Sequence, residues 1–136
     1  MSKIYCAGRV ARGIDWRDSL KPFWQTHTYM GPDLTSLSTT GPILHRMCLD
    51  ALVRSEIIFT WLDSEQAYGT LVEIGFAHAK KKRIWIAGPA YYDECWFAYE
   101  CATLRLIDPA MTPFSALDYL LGIHEHTNGT NDPKGP

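Results

Sequence analysis

A flavodoxin-like, doubly wound α/β sheet of about five parallel strands, in a single domain, is predicted by three features of this 136-residue chain. Short β-branched and aromatic runs without polar alternation recur at Lys3–Gly8, Glu56–Leu62, Arg83–Ala87 and Leu104–Ile107, which is the composition of strands buried on both faces. Helix-compatible stretches separate them, so successive strands read as βαβ crossovers. Glycines follow the strands at Gly8, Gly69 and Gly88, at the carboxyl edge where parallel sheets bind ligands.

Taken in order, the first strand Lys3–Gly8 runs into Arg9–Ile14, a loop carrying Arg9, Arg12 and Gly13. Such a loop holds phosphate or sugar hydroxyls through backbone amides and arginine, or is an ordinary solvated loop; Gly8 and Gly13 do not complete GxGxxG. Asp15 is placed to cap a helix whose Trp16, Leu20 and Phe23 face the core and whose length Pro22 limits. Trp24–Met30 reads as a second strand, closed by the turn residues Gly31-Pro32-Asp33. The serine- and threonine-rich segment Leu34–Gly41 has no period and reads as a mobile loop in the position of an active-site lid. Pro42 suits the first turn of a helix to about Ser55, with Ile43, Met47, Leu49 and Leu52 or Val53 inward. Asp50 lies within it, as a solvent-facing or helix-pairing charge.

The strand Glu56–Leu62 delivers the loop Asp63-Ser64-Glu65-Gln66-Ala67 and then Tyr68-Gly69-Thr70-Leu71-Val72-Glu73, the stretch around which the chain is organised. With Thr70 as N-cap, Glu73 falls in the first helical turn, where the macrodipole favours an ionised carboxylate by roughly 0.3–1 kcal/mol. An ionised, positioned carboxylate at a sheet's carboxyl edge is equipped to act as a nucleophile or base. The same Thr70-x-x-Glu73 spacing is also a capping box, in which the glutamate satisfies the N-cap amide; the local pattern leaves both open. Asp63 and Glu65 are likewise read either as ligands of a base or ribose or as ordinary loop carboxylates. Lys80-Lys81-Lys82 complements the dipole at the helix end.

After Arg83–Ala87, Asp93 starts a helix carrying Trp96, Phe97, Tyr99 and Cys101, an aromatic density typical of a core or a subunit interface. Pro113–Ile123 closes the fold, so the domain spans residues 1–123. Residues 124–136 have the glycine, asparagine and proline content of a disordered tail. Its His124-Glu125-His126 is too weak a pattern to assign a metal, and no cofactor is expected.

Hydrophobic residues at 46% and charged ones at 21% are ordinary for a soluble globular domain. A formal charge of −2 argues against nucleic acid or anionic membrane as a general partner. The four cysteines form no CxxC pair and no zinc spacing, so they read as free thiols. No signal peptide is visible and no apolar run approaches the ~20 residues of a membrane span, which makes a cytoplasmic location the expectation.

Together, Lys3–Gly8, Asp15-Trp16-Arg17, Glu56–Asp63 and Tyr68–Ala77 resemble the nucleoside 2-deoxyribosyltransferase family and its nucleotide N-glycosidase relatives over roughly residues 3–107. The most specific part is Gly69-Thr70-x-x-Glu73-Ile74-Gly75-x-Ala77. The resemblance implies that Glu73 attacks the anomeric carbon of a nucleoside or nucleotide, expels the base and forms a glycosyl ester that a second base, or water, resolves. It implies that Tyr5 hydrogen-bonds this nucleophile. It further implies that Gly8, Arg9, Asp15, Trp16, Arg17, Asp50, Asp63, Tyr68, Gly69 and Thr70 serve the sugar and base pocket, and that a homodimer or larger homo-oligomer completes it.

Two departures stand out. Ala67 occupies the position of an aspartate that handles the base's protons in the family. Cys48 occupies that of an aspartate before the third strand, leaving Asp50, Asp63 or Glu65 as substitutes. The expected function is deoxyribosyl transfer between bases. The alternatives are hydrolysis of a nucleoside 5′-monophosphate held by Arg9, Arg12 and the backbone near Gly13, and a non-catalytic nucleotide-binding module, for which Ala67 and Cys48 speak.

Overall fold

A computed structural model describes residues 1–10, 14–33 and 41–130. Arg12, Gly13 and residues 34–40 of the segment expected to form a lid lie outside them. Five parallel strands, β1 (Lys3–Gly8), β2 (Thr28–Met30), β3 (Ile57–Trp61), β4 (Arg83–Gly88) and β5 (Leu104–Ile107), form one sheet in the order β2-β1-β3-β4-β5. This is the flavodoxin-like α/β fold. The chain winds outward from β1 in both directions, so the carboxyl ends of β1 and β3 diverge into different loops and leave a crevice between them.

Burial on both faces explains the unbroken apolar runs. Tyr5, Ala7, Ile58, Leu62, Ile84 and Ile86 point to one face, under α1 (Gly41–Val53), α2 (Tyr68–Ala79) and α3 (Trp96–Glu100). Ile4, Cys6, Ile57, Phe59, Trp85 and Ala87 point to the other, under Leu20 and α4 (Pro113–Thr130). Each large apolar side chain enclosed this way contributes about 1.5–3 kcal/mol. The register Tyr5↔Ile58 and Cys6↔Phe59 fixes which face each β1 side chain takes. At the end of β4, a Cβ on Gly88 would overlap the Leu62 carbonyl, so only glycine lets the two chains pass this closely.

Several expectations are corrected. Trp24 and Gln25 belong not to a strand but to a 3-10 helix over Trp16–Gln25 that runs through Pro22, and only Thr28–Met30 pairs with β1. Proline there removes a single donor. The segment is held instead by the Asp15 capping box and by Leu20, Phe23 and Trp24 packing onto the α4 side of the sheet.

In α1 the inward residues are Cys48, Ala51 and Leu52. Leu52 is buried as expected, but Ile43, Met47 and Val53 are 59%, 48% and 42% exposed, so the first half of the expected stripe was placed on the wrong side of this helix. Lys82 fastens its far end by donating to the carbonyls of Val53 and Ser55.

Helix α2 begins at Tyr68 rather than at a Thr70 N-cap; its cap position is Ala67, without a side-chain cap bond. Glu73 therefore sits beyond the first turn, and the capping-box and dipole arguments both lapse.

Helix α4 continues past Ile123 to Thr130. Its second half is tied to the sheet's amino edge by His27–Glu125 at 3.3 Å, Arg83–His124 at 3.3 Å and an edge-on Trp85–His124 contact. No helix among the described residues is long and apolar enough to cross a membrane.

Candidate active site

Two clefts of similar size lie at opposite ends of the strands. One of about 550 Å³ is at the amino edge, bounded by Ser2, His27, Glu56, Arg83, His124 and Glu125. Its side chains are already engaged with one another, His27 with Glu125 at 3.3 Å and Arg83 with His124 at 3.3 Å. The other, about 560 Å³, lies at the carboxyl end of β1 between α1 and the start of α2, where Gly8, Arg9, Arg17, Cys48, Gly69 and Glu73 meet. Here a carboxylate, a thiol and a buried cation converge on open space, which is the arrangement that can do chemistry.

Strand β1 supplies the support. Tyr5 is fully buried on the α2 side of the sheet, and its hydroxyl donates to Glu73 Oε2. Burial, and next the Glu73 charge, push the Tyr5 phenol well above its ordinary value. It therefore stays protonated, a fixed donor across the working pH range.

Glu73 is partly buried at the cleft wall, and shielding from water raises its carboxyl above the usual carboxylate range. The Tyr5 hydroxyl and the Arg17 charge pull it back down. Cys48, from α1, also meets the Tyr5 hydroxyl, and burial raises its thiol, keeping it protonated. The result is one carboxylate with two proton-bearing neighbours.

Arg17 comes from the first turn of the 3-10 helix. Asp15 caps that helix by accepting from the Arg17 amide at 2.9 Å, while the Asp15 amide donates to Asp18 at 3.0 Å. The guanidinium then folds beneath β1. Nε donates to the Cys6 carbonyl at 3.0 Å, Nη2 to that of Gly8 at 2.9 Å, and Nη1 to Asp15 Oδ1 at 3.0 Å. Trp16 lies against Gly8, where a Cβ would strike its indole ring, and Trp16 Nε1 donates to the Arg9 carbonyl at 3.0 Å. The outward Arg9 side chain pairs with Asp63 at 3.0 Å, joining the loops after β1 and β3 at the rim.

The predicted site residues thus divide. Glu73, Gly8, Arg9, Arg17, Gly69 and Thr70 line the cleft, and Tyr5 stands directly behind Glu73. Asp15 and Trp16 act one step back, on Arg17 and Gly8. Asp63 touches the site through Arg9. Tyr68 is 69% exposed and is not in the lining. Asp50 does not join the cleft: it is exposed, pairs with Arg54 at 3.0 Å and lies by a separate depression with Pro42 and Val53. Asp50 lies two residues, roughly half a turn, beyond Cys48 in α1, so the helix rotation that brings Cys48 inward carries Asp50 out.

Leu44, His45 and Leu49 of α1 also line the cleft; Leu44 and His45 were not singled out from the sequence, and Leu49 was read as a core residue. Their spacing with Cys48 at i, i+1, i+4 and i+5 is the readable signal of a helix face turned to a ligand.

No family model matches the chain, and no curated protein matches it. A solved structure of a 2-deoxyribosyltransferase from the psychrotolerant bacterium Bacillus psychrosaccharolyticus, described as a biocatalyst for nucleoside synthesis, is similar, with a TM-score of 0.64 over 79% of this chain and 87% of that one. At 15% identity the likeness establishes a common fold.

Proposed function

We propose that this protein is an enzyme that breaks the N-glycosidic bond of a 2′-deoxynucleoside and transfers the sugar to another base, with Glu73 as nucleophile. The observation that carries the reading is the Tyr5–Glu73 hydrogen bond at the wall of the carboxyl-edge cleft. A partly buried carboxylate with no role in capping its helix is aimed at a space large enough for a nucleoside. The neighbouring structure, a 2-deoxyribosyltransferase on the same fold, supports the reaction class.

In the first step a Glu73 oxygen bonds to the anomeric carbon. The carbon–nitrogen bond breaks, and its electron pair leaves with the base, which takes up a proton. The positive character developing on the sugar is stabilised by the adjacent carboxylate. In the second step a nitrogen of the incoming base attacks the same carbon, frees the carboxylate and loses its own proton, with net retention. Tyr5 holds Glu73 in line throughout. The Cys48 thiol and the His45 side chain line the same cleft and are the candidates to exchange protons with the base.

One observation favours a second reading, hydrolysis of a nucleoside 5′-monophosphate. The start of α2 has no side-chain cap, and Gly69 and Thr70 line the cleft, so first-turn amides are open to a phosphate. Incubation of the protein with a deoxynucleoside, or its 5′-monophosphate, with and without a free acceptor base separates the two. Exchange that requires the acceptor supports transfer, whereas free sugar or sugar phosphate without acceptor supports hydrolysis. Absence of base release from all substrates overturns both. We further propose a homo-oligomeric assembly, for which the exposed, mutually edge-on Trp96 and Phe97 on α3 are the contact surface.

A further inference from the structure

We propose that Arg17 is a positioning residue for Glu73: its guanidinium, locked onto the last carbonyls of β1 and paired with Asp15, places a buried positive charge in the wall of the cleft that Glu73 also lines. The role rests on the reading of Glu73 as nucleophile.

Arg17 is 5% exposed, an uncommon depth for a group that stays charged at every accessible pH. Such burial is tolerated only with a matched countercharge and satisfied donors. Asp15, 2% exposed, provides the countercharge with Nη1 at 3.0 and 3.2 Å from its two oxygens. All three guanidinium nitrogens are engaged, Nε with Cys6, Nη2 with Gly8, and Nη1 with Asp15 and, at 3.4 Å, Arg9. The fork therefore gathers the last carbonyls of β1 instead of offering itself to a phosphate, and its influence on the reaction is exerted at a distance.

The pair is oriented. Arg17 lines the cleft and Asp15 does not, so the residue that carries the positive charge is the one in the cleft wall. Among the described residues, the titratable and charged groups around Glu73 are Tyr5 from β1, Cys48 and His45 from α1, Arg9 from the β1 loop, and Arg17. Tyr5 and Cys48 are held neutral. The effect of burial on the Glu73 carboxyl is opposed first by the Tyr5 hydroxyl and then by the Arg17 charge. Without it, the nucleophile would carry a proton over a wider range of pH, and a protonated carboxyl does not attack.

The test is a direct titration of the Glu73 carboxyl by carbon-13 NMR in glutamate-labelled protein, the resonance assigned by its loss in Glu73→Gln. Arg17→Met is expected to raise the midpoint by about one pH unit, a tenfold loss of ionised form on the acid side. Arg17→Lys, which retains a cation but not the fork, is expected to restore much of that shift. Asp15→Asn, which removes the countercharge while leaving a capping side chain, is expected to lower the midpoint. The acid limb of kcat/KM should move with each midpoint.

An unmoved midpoint in folded Arg17→Met overturns the proposal. If that variant does not fold, an unmoved or raised midpoint in Asp15→Asn overturns it equally. Failure of the wild type to release base from any deoxynucleoside, or full activity in Glu73→Gln, instead overturns the nucleophile reading, and the titration distinguishes the two failures.

Discussion

The Tyr5 hydroxyl, in the middle of β1, donates to the Glu73 carboxylate in α2 across 68 positions of sequence. Neither residue gains from this pairing in stability terms alone. Each is pushed by burial toward its neutral form, and a phenol and a carboxylate shielded together make a poor substitute for an apolar contact. Such an arrangement is a mark of function, and it sets the first prediction.

Glu73→Gln keeps an oxygen for the Tyr5 hydroxyl but cannot form an ester, so turnover should fall by more than about 10³-fold. Stability should move the other way. The folded carboxyl titrates above its unfolded value of about 4.3, so its contribution is favourable below that pH and is lost as pH rises through the folded value. Near neutrality the ionised side chain is thus a burden that glutamine removes. Thermal unfolding at pH 7 should show a higher Tm for Glu73→Gln, with the gain shrinking toward pH 4; an equal or lower Tm at pH 7 counts against a raised Glu73 carboxyl.

The pH–rate profile follows from the same shift. Activity requires the carboxylate, so the acid limb of kcat/KM should lie above the ordinary glutamate range rather than within it. Tyr5→Phe removes a hydrogen bond that favours the ionised form, so the limb should move further up while kcat drops about tenfold from lost orientation. A limb that moves down in Tyr5→Phe would mean that the hydroxyl is not a donor to the ionised carboxylate.

Two glycines offer a contrast in stability. Gly88→Ala places a Cβ into the Leu62 carbonyl and should cost more than about 2 kcal/mol in urea unfolding. Gly75→Ala, in α2 with nothing near its added carbon, should stabilise by about 0.5–1 kcal/mol through helix propensity. Equal effects at the two positions would show that close packing at the end of β4 is not what excludes a side chain.

At the opposite edge of the sheet, burial and then the Arg83 charge depress the His124 imidazole. A depressed folded value means that the stability it confers is present above the ordinary histidine value of about 6.5 and is lost as pH falls through the folded value. Protection of amides in the second half of α4 against hydrogen exchange should therefore drop between pH 7 and pH 5, and should drop less in His124→Gln. Protection that falls equally in both proteins would assign the loosening to another group.

The strands were legible because burial on both faces leaves so plain a trace: Ile57, Ile58 and Phe59 are all fully buried although they alternate between two cores. In the Tyr68–Ala77 segment the local pattern left a capping box and a site both open, and what pointed to Glu73 was the wider resemblance; the structure places it in a cleft wall without a capping role. The role of Arg17 was not legible, since a sequence shows a basic residue after a loop but not that its fork turns back under the strand. The rotation of α1 was misjudged because both sides of the helix carry apolar residues, and the cleft takes the side with Leu44 and Cys48. The start of α2 was misplaced because Thr70 resembles a cap, whereas the chain enters the helix at Ala67 without one. The end of α4 was misplaced because polar, glycine-containing composition hides the contacts of His124 and Glu125 with the sheet.

Tyr5 and Cys6 are adjacent in β1, yet one belongs to the face under α2 and the other to the face under α4. A strand reverses the sides of all its residues when it slips by one, so the Tyr5–Glu73 contact hangs on whether a residue number is odd or even relative to Ile58. A single inserted or deleted codon before Tyr5 that the sheet absorbed by sliding would present the phenol to Leu117 and a thiol to Glu73. Such a protein would keep its outline with the two faces of β1 exchanged, which makes β1 a stretch unforgiving of evolutionary drift in length.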